Sequence, residues 1–122
     1  MEILLALALF QLKHLVGDFF LQTRYQLANK GTYGHPGGIL HSGIQSILTQ
    51  PILFWAGASP LTMAGVFVFE FVVHYHLDWA KEAIGRKLQL SPDKTGFWWA
   101  LGIDQALHQL SYIAIIWIAI PL

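Results

Sequence analysis

The sequence contains no cysteine and very little charge. Without cysteine the chain forms no disulfide bond, offers no thiolate to a metal ion and has no thiol nucleophile. Charged residues make up 11% of the 122 residues, whereas a soluble domain averages roughly 25%. The formal net charge is zero, so nothing in the charge balance indicates a broadly anionic partner. We therefore expect no nucleic acid among the partners of this protein.

Hydrophobicity takes the place of charge, because 55% of the residues are hydrophobic and 14% are aromatic. Residues 1–122 are enough for one domain with one core, and helices this apolar cannot all bury their surfaces in so short a soluble chain. A lipid bilayer is the solvent that they fit. We interpret the N-terminal stretch as a retained helix, because Glu2 stands where a signal peptide has basic residues and hydrophobicity continues past Lys13.

Four hydrophobic segments predict an all-α fold, a four-helix transmembrane bundle that forms a single integral membrane domain. The predicted helices run roughly from 2 to 27, from 38 to 57, from 60 to 87 and from 93 to 120. Each is long enough to approach or exceed a hydrocarbon core of about 30 Å at 1.5 Å per residue. Glycine and proline residues between 28 and 38 mark the first loop. Ser59 and Pro60 provide an N-cap and a first residue for the third helix.

Basic residues favour one orientation of this bundle. They flank the first loop or lie in or beside the third, at Arg24, Lys30, Lys81, Arg86, Lys87 and Lys94. The second loop and both ends of the sequence carry none. Because basic loops stay on the cytoplasmic side, we expect loops one and three in the cytoplasm and both termini on the extracytoplasmic side.

Each predicted helix carries two polar residues four positions apart, a spacing that places both on one helix face. The pairs are His14 and Asp18, His41 and Gln45, His74 and Asp78, and Asp104 and His108. Counting about 1.5 Å per residue from the cytoplasmic ends puts all of them in the cytoplasmic half or near the midplane. We therefore expect them to form one site or two adjacent sites between the helices.

The cost of membrane burial limits what such a cluster can be. A charged side chain near mid-membrane costs at least about 2.5–3.5 kcal/mol, so these residues face the bundle interior and are paired. Hydrogen bonds that only hold helices together are the simplest interpretation. Such a role needs one pair rather than four, and the four pairs favour a metal site. Mixed imidazole and carboxylate ligands suit Zn²⁺, with Mn or Fe as alternatives.

The residue types and the estimated depths together assign provisional roles. The predicted metal ligands are His14, Asp18, His74, Asp78, Asp104 and His108. His41 is expected to act as a catalytic proton shuttle or as a further ligand. Glu70 is either a catalytic general base or the partner of Lys13. These six ligands suffice for one ion with supporting residues around it, or for two ions.

The order of these motifs resembles a known family. The motifs are H-x-x-G-D-F-x-L-Q at 14–22, then Lys30, the adjacent Leu40 and His41, H-x-x-x-D-x-x-K at 74–81 and D-Q-x-x-H at 104–108. They are similar to a domain-of-unknown-function family of small bacterial and phage integral membrane proteins, over nearly the whole chain. The H-x-x-x-D pairs alone also resemble predicted membrane-bound metal-dependent hydrolases. The resemblance implies a multi-pass protein of the bacterial inner (cytoplasmic) membrane and supports the metal site.

The leading functional hypothesis is a metal-dependent hydrolase that acts from the cytoplasmic side on a membrane lipid or another membrane-associated ester or phosphoester. The alternative is a small cation or proton transporter or channel that uses the same cluster, which requires a homo-oligomer because one chain has few residues. A di-iron redox protein ranks last, because such bundles pair His and carboxylate at i, i+3 and not at i, i+4. A serine nucleophile is not expected, since no nucleophile elbow is present.

Overall fold

The computed structural model describes residues 3–120, which are helical with no strand in that range. The helices are α1 (Ile3–Leu15), α2 (Arg24–Asn29), α3 (Pro36–Trp55), α4 (Pro60–Lys87) and α5 (Thr95–Ala119), and a π-helical turn, Val16–Phe20, follows α1. The predicted all-α class is confirmed. Glu2, the predicted start of the first helix, lies outside the described residues.

The four long helices enclose a common interior. Helix α4 packs against α3 and α5, and α1 packs against the same two helices. The short connection between α3 and α4 makes these two helices antiparallel neighbours. The short helix α2 lies against α3. This arrangement brings the second half of α1, the first half of α3 and the middle of α4 and α5 to the same level.

The prediction of one continuous first helix, from 2 to 27, is wrong. Helix α1 passes into the π-helical turn, which the Leu21 amide closes by donating to the Val16 carbonyl at 2.8 Å. Helix α2 then begins after Thr23, whose hydroxyl accepts from the Gln26 amide while the Gln26 side chain accepts from the Thr23 amide, both at 3.3 Å. This reciprocal capping box satisfies amides that have no partner at a helix start. The hydrophobic pattern continues through the break and does not reveal it.

The other helix boundaries depend on local capping. Helix α3 begins at Pro36, two residues before the predicted start, because the His35 side chain accepts from the Gly37 amide at 3.0 Å. Helix α4 has the predicted bounds, and Ser59 caps it by accepting from the Thr62 amide at 3.1 Å. Helix α5 is shorter than predicted at both ends.

The interior has an apolar half and a polar half. The apolar half lies near the α3–α4 turn and contains Ala6, Phe10, Ile52, Leu53, Val66, Tyr112, Ile115, Ile116, Ala119 and Ile120. The opposite half holds the buried polar residues, which outnumber the buried hydrophobic ones among residues 3–120. Large apolar side chains, meanwhile, lie exposed on the outer surface. Buried polar residues and exposed large apolar residues therefore occur together in the described part of the chain.

Two helical stretches of the described chain, Ile3–Phe20 and Pro60–Lys87, are long and apolar enough to cross a membrane. Length and composition are the whole basis of this statement, and a buried core helix or a signal sequence meets the same criterion. Helices α3 and α5 carry more glutamine and serine than these two stretches.

Candidate metal centre

The structure brings together all seven His and Asp residues of the predicted polar pairs. This group, called the His–Asp cluster below, consists of His14, Asp18, His41, His74, Asp78, Asp104 and His108. Each of these residues is at most 7% exposed. Because they come from the end of α1 and its π-helical turn and from α3, α4 and α5, only the packed fold places them together.

Two histidine nitrogens lie at the centre of the cluster. His41 Nε2 and His74 Nε2 are 3.1 Å apart. Asp18 Oδ1 lies 3.2 Å from the first and 3.6 Å from the second. Asp78 Oδ2 lies 3.1 Å from His41 Nε2 and 3.5 Å from His74 Nε2. The histidine pair thus forms one triangle of donor atoms with Asp18 and another with Asp78.

The sides of these triangles match those of a zinc site. Tetrahedral Zn²⁺ with bonds of about 2.0–2.1 Å holds its ligand atoms about 3.3–3.4 Å apart. The sides here range from 3.1 to 3.6 Å. Catalytic zinc sites commonly use three protein ligands and leave the fourth position to water or substrate. Either triangle supplies such a set of three.

The positions of protons in the histidine pair limit how the two rings can face each other. A neutral imidazole has one N–H and one lone pair. His41 Nδ1 and His74 Nδ1 are buried and have no hydrogen-bond partner among residues 3–120. A proton on either Nδ1 is therefore unsatisfied, whereas protons on both Nε2 atoms face each other at 3.1 Å. A metal ion at the two Nε2 atoms removes this second conflict, and it leaves the proton of each ring on an Nδ1 without a partner in the described chain.

His108 has the hydrogen-bond pattern of a metal-binding histidine. Its Nδ1 donates to the Asp104 backbone carbonyl at 2.7 Å, which leaves the lone pair on Nε2. His108 Nε2 is buried, has no hydrogen-bond partner in the described chain and lies 3.7 Å from Asp78 Oδ1. One donor atom each from His74, Asp78 and His108 forms a group within 4.8 Å, and so does one each from Asp18, His41 and His74.

His14 and Asp104 lie at the edge of the cluster, outside both of these groups. His14 Nδ1 is 2.8 Å from the Tyr112 hydroxyl, and His14 Nε2 is 2.9 Å from Gln105 Oε1 and 3.3 Å from Asp18 Oδ2. Asp104 Oδ2 accepts from Gln105 Nε2 at 3.1 Å. Their predicted role as metal ligands stays a prediction, and their contacts also suit residues that orient the central donors.

Glu70 and Lys13 form a buried ion pair between α1 and α4. The Lys13 ammonium also lies 4.3 Å from the centre of the Tyr112 ring, a favourable cation–π distance. Of the two roles predicted for Glu70, these contacts favour the partner of Lys13. The pair neutralises itself, so its charges do not have to be balanced by the His–Asp cluster.

The sequence reasoning missed Lys30 as part of the site. The sequence predicts Lys30 as a basic residue beside the first loop, yet it is 5% exposed and its ammonium lies 3.2 Å from Asp78 Oδ2 and 2.9 Å from Gln22 Oε1. The capping of α2 fixes this placement, because it turns the chain back over the end of the interior. The one sequence signal for a role of Lys30 in the site is its place among the motifs that the chain shares with the family.

Gly17 permits a second contact to the cluster. The Gln45 amide donates to Asp18 Oδ1, and a Cβ added to Gly17 would lie 2.2 Å from Gln45 Nε2. Gln45 reaches Asp18 only because residue 17 has no side chain. The π-helical turn around these residues fits the tendency of such turns to occur at functional sites.

The formal charges of the cluster leave room for a divalent cation. Asp18, Asp78 and Asp104 contribute three negative charges, and Lys30 contributes one positive charge. With neutral histidines the sum is −2. Uncompensated carboxylates at such burial are strongly unfavourable, so bound cations or protons have to balance them.

Two cavities adjoin the cluster. A cavity of about 170 Å³ is lined by Asp18, Asp104, Lys30 and Lys81 among others. A second, of about 210 Å³, lies between α4 and α5, and its lining is mostly apolar. Asp104 and Lys81 line both cavities. The first cavity, called the polar chamber below because charged residues line it, therefore meets the second, called the apolar groove, at Asp104 and Lys81.

The fold and the site define an all-helical protein with buried His and Asp groups whose geometry can hold a metal ion. The chain belongs to the family described as "Protein of unknown function (DUF3307)", which matches residues 5–122. No curated protein and no solved structure matches the chain.

Proposed function

We propose that this protein is a membrane-embedded, metal-dependent hydrolase that cleaves an ester or phosphoester bond of a membrane lipid. The observation that carries the proposal is the pair of Nε2 atoms of His41 and His74, 3.1 Å apart and flanked by carboxylate oxygens of Asp18 and Asp78. Zn²⁺ is the ion that this mixed donor set fits best, with Mn or Fe as alternatives.

The exposed surface supports a bilayer around all four long helices. Leu4 of α1, Phe54 of α3, Leu61 of α4 and Trp117 of α5 are between 75% and 84% exposed. In water these apolar side chains would need a protein partner to cover them, whereas in a bilayer the lipid chains cover them. Helices α3 and α5 carry polar residues mainly on their buried sides, so their apolar sides would face the lipid. The proposal is a four-span protein of the bacterial inner membrane with both termini outside.

The cavities support a lipid as substrate. A bound ion lowers the pKa of a coordinated water toward neutrality and polarises the scissile group. Lys81 stands where the polar chamber meets the apolar groove, so a lipid with its chain between α4 and α5 would bring its head group to Asp18 and Asp104. Lys30 and Lys81 would attract the negative charge of a phosphate there.

Asp104 is the group best placed to move a proton in this reaction. Its Oδ1 has no hydrogen-bond partner within residues 3–120, and the residue lines the polar chamber. The water oxygen forms the new bond to phosphorus or to the acyl carbon, while the bond to the lipid alcohol breaks. The proton leaves the water for the Asp104 carboxylate and then passes to the departing alcohol oxygen.

Metal content and hydrolysis together test this proposal. Protein purified in detergent without chelators is analysed for Zn, Mn and Fe, and is then incubated with mixed micelles of phosphatidate, phosphatidylglycerol or diacylglycerol. We expect bound metal and the release of phosphate, glycerol phosphate or fatty acid by the metal-loaded form alone. His41→Ala should lose both the bound metal and the hydrolysis. The control His76→Ala changes an exposed residue that is hydrogen-bonded to Tyr33, and it should keep both.

Two outcomes contradict different parts of the proposal. Wild-type protein that contains no metal removes the metal site and the hydrolase together. Protein that binds metal but cleaves none of the three lipids removes the hydrolase on these substrates, and metal flux into liposomes would then favour a transporter.

A further inference from the structure

We infer that the His–Asp cluster is a dinuclear centre, in which Asp78 bridges two cation positions and His108 is a ligand of the second. The inference rests on the metal site proposed above and extends it. Its starting point is that the two oxygens of the Asp78 carboxylate face different histidines. Oδ2 lies 3.1 Å from His41 Nε2, and Oδ1 lies 3.7 Å from His108 Nε2.

No hydrogen atom lies between the facing atoms of Asp78 and His108. His108 Nδ1 uses its hydrogen in the bond to the Asp104 carbonyl, so Nε2 presents a lone pair. Asp78 Oδ1 also presents lone pairs, and 3.7 Å is too long for a hydrogen bond even if Nε2 were protonated. Two acceptors therefore face each other across a buried gap, the arrangement that a cation between them stabilises.

The distance also fits metal coordination. Two ligand atoms bound at about 2.0–2.1 Å to one ion can be about 3.7 Å apart when the angle at the ion is moderately wider than tetrahedral. His108 is fully buried, so water competes little for the lone pair. A donor atom of His74 lies within 4.8 Å of donor atoms of both Asp78 and His108, which places the second position next to the first.

The Lys30 ammonium lies on the opposite side of the same carboxylate. It is 3.2 Å from Asp78 Oδ2, the oxygen that faces the histidine pair, while Asp78 Oδ1 has His108 as its facing group. Lys30 therefore leaves Oδ1 available. Paired ions bridged by one carboxylate usually lie about 3.5–4 Å apart, and such centres clamp both the attacking and the leaving oxygen of a phosphoester.

A dinuclear centre narrows the substrate class of the proposed hydrolase. With neutral histidines the cluster and Lys30 together carry a formal charge of −2, so two divalent ions make the sum positive. A positive centre favours an anionic phosphoester over a neutral carboxylic ester. Of the two proposed substrate classes, esters and phosphoesters, we therefore expect the protein to prefer the phosphoester.

Metal stoichiometry after reconstitution with Mn²⁺ tests the inference. Detergent-purified protein is stripped with EDTA, loaded with Mn²⁺ and dialysed, and the bound metal is counted by mass spectrometry. We expect two ions per chain in the wild type and an electron paramagnetic resonance spectrum of exchange-coupled Mn²⁺. His108→Gln should reduce the count to one and abolish the coupling, and His76→Ala should retain two coupled ions.

These results distinguish the second cation position from the metal site on which it rests. One uncoupled ion per chain in the wild type, unchanged by His108→Gln, overturns the second position and leaves the first intact. A metal-free wild type overturns both. The wild-type count and spectrum decide the question without any variant, so a folding defect in His108→Gln does not leave it open.

Discussion

His41 Nε2 and His74 Nε2 lie 3.1 Å apart, although the two histidines belong to different helices and are 33 residues apart in the chain. Neither residue has a partner for its Nδ1 among residues 3–120. Histidines that join helices and histidines that bind a metal both usually satisfy the second ring nitrogen, so the unpartnered Nδ1 atoms do not distinguish these two roles. The close approach of the two Nε2 atoms instead creates a point where donor atoms converge.

Asp78→Asn distinguishes a metal site from hydrogen bonds that hold helices together. The change keeps the shape of the side chain and removes its negative charge. We expect bound metal to fall at least tenfold in detergent-purified protein, while the helical circular dichroism stays the same. If the cluster only joins helices, metal is absent throughout, and the substitution costs about 0.6 kcal/mol, the average for a membrane-buried hydrogen bond. Asp93→Asn, in the exposed turn before α5, is the control.

Lys30→Met tests whether the buried ammonium offsets the charge of the cluster. Removing one partner of a buried ion pair costs about 3–5 kcal/mol, because the other charge is left uncompensated. We expect a loss of this size in EDTA-treated protein and a smaller loss in metal-loaded protein, where the ion offsets Asp78. Thermal unfolding in detergent with and without metal measures the difference.

The exposed Lys94 provides the control for that experiment. Its ammonium donates to the Gln89 carbonyl at 2.7 Å, and Lys94→Met should change stability by less than about 0.5 kcal/mol. Equal losses for Lys30→Met with and without metal would contradict the charge argument.

Glu70→Gln tests the role of the Lys13 pair. The single change leaves a buried ammonium without its carboxylate and should destabilise the protein by about 3–5 kcal/mol. The double change Lys13→Met with Glu70→Gln should restore most of that loss, and both variants should retain metal. Unfolding measurements and metal analysis check these outcomes. A stable Glu70→Gln variant that binds metal but no longer hydrolyses lipid would instead support Glu70 as the general base.

Gly17→Ala tests the contact between Gln45 and Asp18. The added methyl group has to displace the Gln45 amide, because its ideal position is 2.2 Å from Nε2. Loss of such a supporting hydrogen bond typically weakens metal affinity by about 10–100-fold, and competition with a chelator measures this. Gly65→Ala is the matched control, since no atom lies within 4 Å of its added Cβ and the residue is inside α4. Unchanged affinity in Gly17→Ala would show that Gln45 is dispensable.

Cysteine labelling tests the proposed orientation. The native chain has no cysteine, so a single Cys at Ser59 or at Lys87 reports one location each. In intact cells a membrane-impermeant maleimide should react with the Ser59→Cys variant and leave the Lys87→Cys variant unlabelled until the cells are lysed. The reverse pattern would place the His–Asp cluster in the outer half of the membrane.

The sequence by itself determined the helical class and the approximate extent of the long helices. Long apolar segments, with Ser59 and Pro60 at the start of one of them, leave few alternatives to helix. The i, i+4 spacing of His74 and Asp78 also follows from sequence, since helical geometry places two such residues on one face. Local periodicity contains this information because each helix satisfies its own backbone hydrogen bonds.

Only the tertiary structure decided how the cluster is arranged. The α1–α2 break depends on a capping box and a π-helical turn that hydrophobic periodicity does not register, and this break carries Lys30 to Asp78. His41, which the sequence predicts as a proton shuttle or a further ligand, lies at the centre of the cluster, because the packing of α3 against α4 brings its Nε2 to that of His74. Which oxygen of Asp78 faces which histidine depends on helix rotation and side-chain packing, and neither is encoded in residue spacing along one helix.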